Sequence, residues 1–140
     1  MSNVADVTDA TFNDLVVKSP KPVVIDYWAD WCAPCKQLSP VLEKLANDDA
    51  GKWVLAKVDV DAEQAIAQAF QVQSVPSVIA IIKGQPVPLF QGAMPEPQLR
   101  QVMDELIKVA AENGVSAPGD VAAQDGAPDG ALEPEEAEDT

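Results

Sequence analysis

Apolar residues fall along this chain in two rhythms, short dense runs and longer stretches at helical spacing. The run Val23-Val24-Ile25-Asp26-Tyr27-Trp28 is continuous and β-branched rather than alternating, which predicts a central strand buried on both faces. Trp53-Val54-Leu55-Ala56-Lys57-Val58 and Ser77-Val78-Ile79-Ala80-Ile81-Ile82 predict further strands, and Val4 to Val7 a short edge strand. Lys83-Gly84-Gln85 then makes a turn into a hairpin partner at Val87 to Phe90, which Pro86 and Pro88 confine to an edge or a bulge. Gly92 marks a bulge or a close backbone approach.

Between these runs the spacing is helical. Thr8 or Asp9 can cap a first helix carrying Phe12, Leu15 and Val16 on one face. Leu38, Val41, Leu42 and Leu45 define a second helix, in which Pro40 predicts a kink and not a stop. Ala62 to Phe70 suit a short helix with Ile66 and Phe70 inward. A last helix starts near Pro95–Pro97 and buries Leu99, Val102, Met103 and Leu106. The order β-α-β-α-β-α-β-β-α is that of an α/β domain whose sheet is covered by helices.

Composition sets the limits of that domain. Residues 1–112 suit one folded unit, whereas residues 113–140 hold four glycines, three prolines, no aromatic residue and only acidic charge. Such a segment cannot bury enough apolar surface to order itself, so a disordered acidic tail or linker is expected there. The net charge of -14 is concentrated in it: residues 111–140 carry nine acids and no base, leaving 14 acids against 9 bases in the rest. No basic patch suggests nucleic-acid binding. The first residues, Met1-Ser2-Asn3-Val4-Ala5-Asp6, lack the features of a signal peptide, and the longest strongly apolar run, Val75 to Ile82, is too short to span a membrane.

The chemistry lies in Trp31-Cys32-Ala33-Pro34-Cys35-Lys36, between the central strand and the second helix, which holds both cysteines. If a helix begins at Cys32, the two thiols stand one turn apart, with Cys32 at the N-terminus, where free N–H groups and the macrodipole favour a thiolate. Pro34 fits the first turn because its missing N–H has no partner to lose. Zinc needs about four ligands, and a chain with two cysteines and no histidine cannot supply them from Cys and His. A purely structural disulfide gains little from so short a loop. A redox-active dithiol remains, in which Cys32 attacks a substrate disulfide and Cys35 resolves the mixed disulfide. In a reducing compartment such a pair is catalytic rather than structural, so a cytoplasmic setting is expected.

These residues resemble the thioredoxin family: Asp26 in its apolar strand, Trp28, the Trp31-Cys32-x-Pro34-Cys35-Lys36 site, Pro40, Lys57, Val75-Pro76, Gly84 and Gly92. The likeness covers roughly residues 4–110 and implies a thioredoxin fold, a central mixed sheet of about five strands flanked by about four helices. It implies that Cys32 attacks, that Cys35 is buried, and that Pro76 is cis and faces the cysteines. It also implies protein-disulfide substrates, a monomer, no bound cofactor or metal, and electrons from NADPH through thioredoxin reductase. Ala33 stands where glycine is usual, and Ser74 and Ser77 replace the usual glycine and threonine. A narrower likeness, in Gly51 to Asp61 and Gly84 to Val87 among others, is to the thioredoxin domain of chaperedoxin-type co-chaperones. That implies chaperone partners and makes residues 113–140 a linker.

The supporting residues follow. Asp26 is an acid in an apolar strand, so its pKa should rise and it should seek a partner. With Cys35 near it in this family, its expected role is proton acceptor and donor for Cys35, with Lys57 as partner. Trp31 is expected to be an exposed apolar contact for substrates. With Ala33 and Pro34, the residues Val75, Pro76, Gly92 and Ala93 would form a shallow groove that binds extended peptide through the backbone of Val75. Trp28 is expected to pack in the core with its indole N–H bonded, and Trp53 and Tyr27 to pack. Two other readings stand beside the reductase: the redox or client-binding domain of a chaperone-linked protein, and a binding module without catalysis.

Overall fold

The strand at Val23–Trp28, β2, is the axis of the molecule. In the computed structural model, which describes residues 3–114, it is hydrogen-bonded on both sides. The five-stranded sheet runs β1-β3-β2-β4-β5, where β1 is Val4–Asp6, β3 Val54–Asp59, β4 Ser77–Ile82 and β5 Gln85–Gln91. The β1–β3 and β2–β3 pairs are parallel, and β2–β4 and β4–β5 antiparallel. Three α-helices pack on it: α1 Ala33–Asp48, α2 Gln64–Ala69 and α3 Glu96–Glu112. Most of the expected tail lies outside the described residues.

Alternation along β2 divides the core in two. Val24 packs with Leu38, Leu42 and Leu45 of α1 and Leu99, Met103 and Leu106 of α3. Val23, Ile25 and Tyr27 face the other way, onto Val16, Ile66 and Ala67. The period of two therefore sends Asp26 to the α1 side. On β3 the same alternation puts Leu55 in the first cluster and Ala56 and Val58 in the second, so Lys57 also faces α1.

Most elements lie where the hydrophobic pattern places them, with several local differences. The first helix is a π-helical segment, Asn13–Val17, and it buries Val16 while Leu15 is 46% exposed. Asp9 does not cap it. Its carboxylate accepts from the Ile66 N–H at 3.0 Å and so caps α2, from 57 residues away. Pro40 lies inside α1 without ending it. The last β-strand is an edge strand, with a register shift opposite Val78/Ile79 that leaves Leu89 as the extra residue. The hairpin turn before it has φ of 53° at Lys83 and 77° at Gly84, the left-handed pair that a two-residue connection requires.

Trp53 is fully buried, as expected, but also donates from Nε1 to Asp49 Oδ2 at 2.6 Å. Arg100 of α3 reaches the same carboxylate at 2.7 Å, which ties the end of α1 to α3. Among the described residues no helix is long and apolar enough to cross a membrane, and no group of three potential metal-ligating side chains occurs.

Leu42 is 0% exposed between α1 and the sheet. Leu42→Ala should cost about 2–5 kcal/mol through lost burial and a residual cavity. Urea denaturation would show it as a lower midpoint with an unchanged slope. A loss below about 1 kcal/mol would contradict a closed core at this position.

Candidate active site

The central strand ends at Trp28, and the turn Ala29-Asp30-Trp31 carries the chain into α1, with Cys32 N–H donating to Ala29 C=O at 3.1 Å. Cys32 is the N-cap of α1, with extended backbone at φ -95° and ψ 103°. Its sulfur accepts the Cys35 backbone N–H at 3.2 Å, taking the place a serine or aspartate oxygen usually fills. Pro34, in the first turn, costs no helical bond there.

The two cysteines are joined in a disulfide with their Cα atoms 5.3 Å apart. Both sulfur-bearing residues are recessed, Cys32 at 4% and Cys35 at 2% exposed, against Ala29, Trp28, Val60 and Val75. Trp31, beside them, is 68% exposed, and its indole N–H donates to Asp61 Oδ2 at 2.8 Å. A broad apolar face is thereby fixed next to the disulfide.

Across from the cysteines, the Val75–Pro76 peptide bond is cis. Ser77 Oγ donates to the Ser74 carbonyl at 2.6 Å and closes the loop around that bond. Gly92, at φ 82°, donates its N–H to the Pro76 carbonyl at 2.8 Å, which brings the segment carrying Gly92 and Ala93 alongside Pro76. Val75 makes no hydrogen bond among the described residues, so its N–H and C=O are free for a strand-like ligand. Ala33, Pro34 and Ala93 are exposed around this depression. A separate cavity of about 450 Å³ lies between β5 and α3, lined by Ile82, Val87, Leu89, Met94 and Leu106. It borders none of these residues and is not part of the site.

Under α1, Asp26 is 0% exposed. Its Oδ2 accepts a hydrogen bond from Ser39 Oγ at 2.5 Å, and its Oδ1 has no partner among the described residues. Burial pushes its pKa above the ordinary carboxylate value, and Glu43 adds to the rise, while the Ser39 hydroxyl and the Lys57 ammonium oppose it. Lys57 is beside Asp26 in register, as alternation suggests. The expected direct partnership is not formed, however. Lys57 Nζ bonds Glu43 Oε2 at 2.9 Å and lies 5.6 Å from the Trp28 ring centroid, so it acts on Asp26 only through space. The Trp28 indole N–H, expected to be bonded, has no partner among the described residues.

Ser39 is the residue that the hydrophobic pattern does not reveal. The available signal is its spacing, four residues after Cys35 on the buried face that also carries Leu38 and Leu42.

A disulfide one turn long at a helix N-terminus, with an exposed tryptophan, an open peptide edge and a buried acid beneath, defines the class: a thiol–disulfide exchange protein. Comparison with known proteins agrees. Residues 3–105 match the family described as Thioredoxin. The chain is 42% identical over 107 residues to the thioredoxin of Haemophilus influenzae, spanning 76% of this chain and 100% of that one. It is 43% identical over 101 residues to the thioredoxin of Mycobacterium bovis (72% and 87%). It is also 41% identical over 102 residues to a bifunctional thioredoxin reductase/thioredoxin of Mycobacterium leprae, covering 73% of this chain and 22% of that protein. The chain belongs to the thioredoxin family and is an oxidoreductase acting on protein disulfides.

The raised pKa of Asp26 has a stability consequence. The folded protein holds the proton more tightly than the unfolded chain, whose carboxyl titrates near 3.8. Stability therefore declines as pH rises from that value through the folded pKa, and stays lower above it. Asp26→Asn should be more stable than the parent at pH 7, with the advantage shrinking toward pH 4, as read by urea denaturation of the oxidised protein. An advantage equal at both pH values would contradict an ionised buried carboxyl.

Proposed function

We propose that this protein reduces disulfides in a broad set of polypeptides, with Cys32 as nucleophile, Cys35 as resolving thiol and Asp26 as proton relay. The observation that carries this reading is Cys32 at the N-cap of α1, disulfide-bonded to Cys35, with the Asp26 carboxyl buried behind that helix. In the reduced protein the Cys35 N–H and the helix N-terminus favour a thiolate at Cys32. That thiolate attacks one sulfur of the substrate, forming a Cys32–substrate bond while the substrate S–S bond breaks and its other sulfur leaves as a thiolate, which takes a proton from solvent. Cys35 then gives its proton to the Asp26 carboxylate and attacks Cys32 Sγ. The mixed disulfide breaks, the Cys32–Cys35 disulfide forms, and the departing substrate thiolate takes the proton. Two electrons have passed to the substrate, which leaves as a dithiol.

Trp31, Ala33, Pro34, Val75, Pro76, Gly92 and Ala93 would receive an extended peptide, with the main chain of Val75 as its hydrogen-bonding edge. Such recognition reads backbone more than side chains and suits many substrates. Lys57 acts indirectly, as a positive charge near Asp26 that Glu43 largely holds. A thioredoxin reductase fed by NADPH is the electron source that fits, and a relative that joins reductase and thioredoxin in one chain supports that pairing. A reducing, cytoplasmic setting suits this direction of exchange. A chaperone-linked setting rests only on the residue likeness in Gly51 to Asp61, Gly84 to Val87 and the neighbouring short stretches.

NADPH consumption with a bacterial thioredoxin reductase and insulin as substrate tests the reading. The parent should turn over, and Cys32→Ser should show no rate above the blank. Cys35→Ser should instead accumulate a mixed disulfide, visible on non-reducing gels. No turnover by a parent whose cysteines still oxidise and reduce would contradict a general reductase and favour a specialised exchanger.

A further inference from the structure

Cys35, Ser39 and Glu43 follow one another in steps of four along α1 and stack on one face of the helix. Facing Ser39 and Glu43 on the sheet is a single rung, Asp26 of β2 beside Lys57 of β3. The two rows are joined twice, Ser39 Oγ to Asp26 Oδ2 and Lys57 Nζ to Glu43 Oε2. Ser39 is only 8% exposed, on the face where α1 otherwise buries Leu38 and Leu42. A serine inside a helix commonly turns its hydroxyl to the carbonyl four residues back, which here is that of Cys35. This one spans to the sheet instead, and it is the one hydrogen bond that the Asp26 side chain makes among the described residues.

We propose that Ser39 is a positioning residue for the exchange: its hydroxyl pins Oδ2 of Asp26 and so leaves Oδ1 as the oxygen that takes the Cys35 proton and returns it. The proposal rests on the reading of Asp26 as relay. A carboxyl held by one oxygen cannot rotate freely, so the proton has one docking atom rather than two. The same bond favours the ionised carboxylate, against burial and the Glu43 charge and together with the Lys57 charge. Those are the charged groups facing Asp26, Lys57 from β3 and Glu43 from α1. Ser39 thereby raises the share of carboxylate available to accept the proton as Cys35 Sγ attacks Cys32 Sγ. The proton then passes from Oδ1 to the departing substrate thiolate.

The test uses the full chain, its Ser39→Ala and Ser39→Thr variants, and two readouts. One is the titration of the Asp26 carboxyl by carbon NMR. The other is the pH dependence of the resolving step, followed as release of the second thiol from a symmetric aryl disulfide. In Ser39→Ala the carboxyl should titrate at higher pH and the acid limb of the resolving step should shift up by the same interval. The first thiol release, which reports Cys32, should not change. Ser39→Thr keeps the hydroxyl and should restore both. A Ser39→Ala profile that superimposes on the parent, or one lowered equally at every pH, overturns the proposal. An unchanged resolving profile in Asp26→Asn would instead overturn the relay itself, so the two failures are told apart.

Discussion

A carboxyl group in the middle of a dry sheet costs free energy, and the arrangement around Asp26 accounts for how this molecule tolerates one. The side chain is 0% exposed, with a single hydrogen bond among the described residues and two opposed charges near it. Burial of this kind stabilises the protonated form and pushes the carboxyl above the ordinary carboxylate range. Placing it there requires β2 to be the central strand and α1 to lie flat over it. The same two elements deliver the cysteines, because the chain passes from the end of β2 directly into the start of α1. Fold and chemistry thus share one junction.

The division of labour around that junction follows from simple geometry. The helix N-terminus lies at the rim, where free N–H groups and the macrodipole act on Cys32. Cys35 lies one turn further along, buried as Cys32 is, and one turn before Ser39, which bonds the acid. Trp31, held by Asp61, and the Val75–Pro76 loop, held by Ser77 and Gly92, stand on either side of the disulfide.

How far the sequence alone reveals this depends on whether a feature is local. The unbroken apolar run of Val23 to Trp28 signals a central strand, and the Cys32–Cys35 spacing at a helix start signals the redox pair. Both are short-range patterns with one physical meaning. Ser39 is different, because a serine among leucines carries no sign of its partner until the helix is laid on the sheet. Lys57 points to the correct face by alternation, yet Glu43, one helical turn past Ser39, takes its ammonium. Asp9 caps a helix in another part of the chain, which local capping rules cannot foresee. Leu15 fits a helical face, but in the π-helical segment it turns outward. The cis bond at Pro76 came into view only by family resemblance.

The most direct test of the account is the single-turnover rate at which Cys35 releases a thiol bound to Cys32, measured against pH in the parent and in Asp26→Asn. If the buried carboxyl relays the proton, the variant should lose the acid limb of the profile and resolve about a hundredfold more slowly near neutral pH. Its first step, attack by Cys32, should be preserved. Identical resolving rates across the whole pH range would contradict the account and leave Asp26 as a structural acid alone.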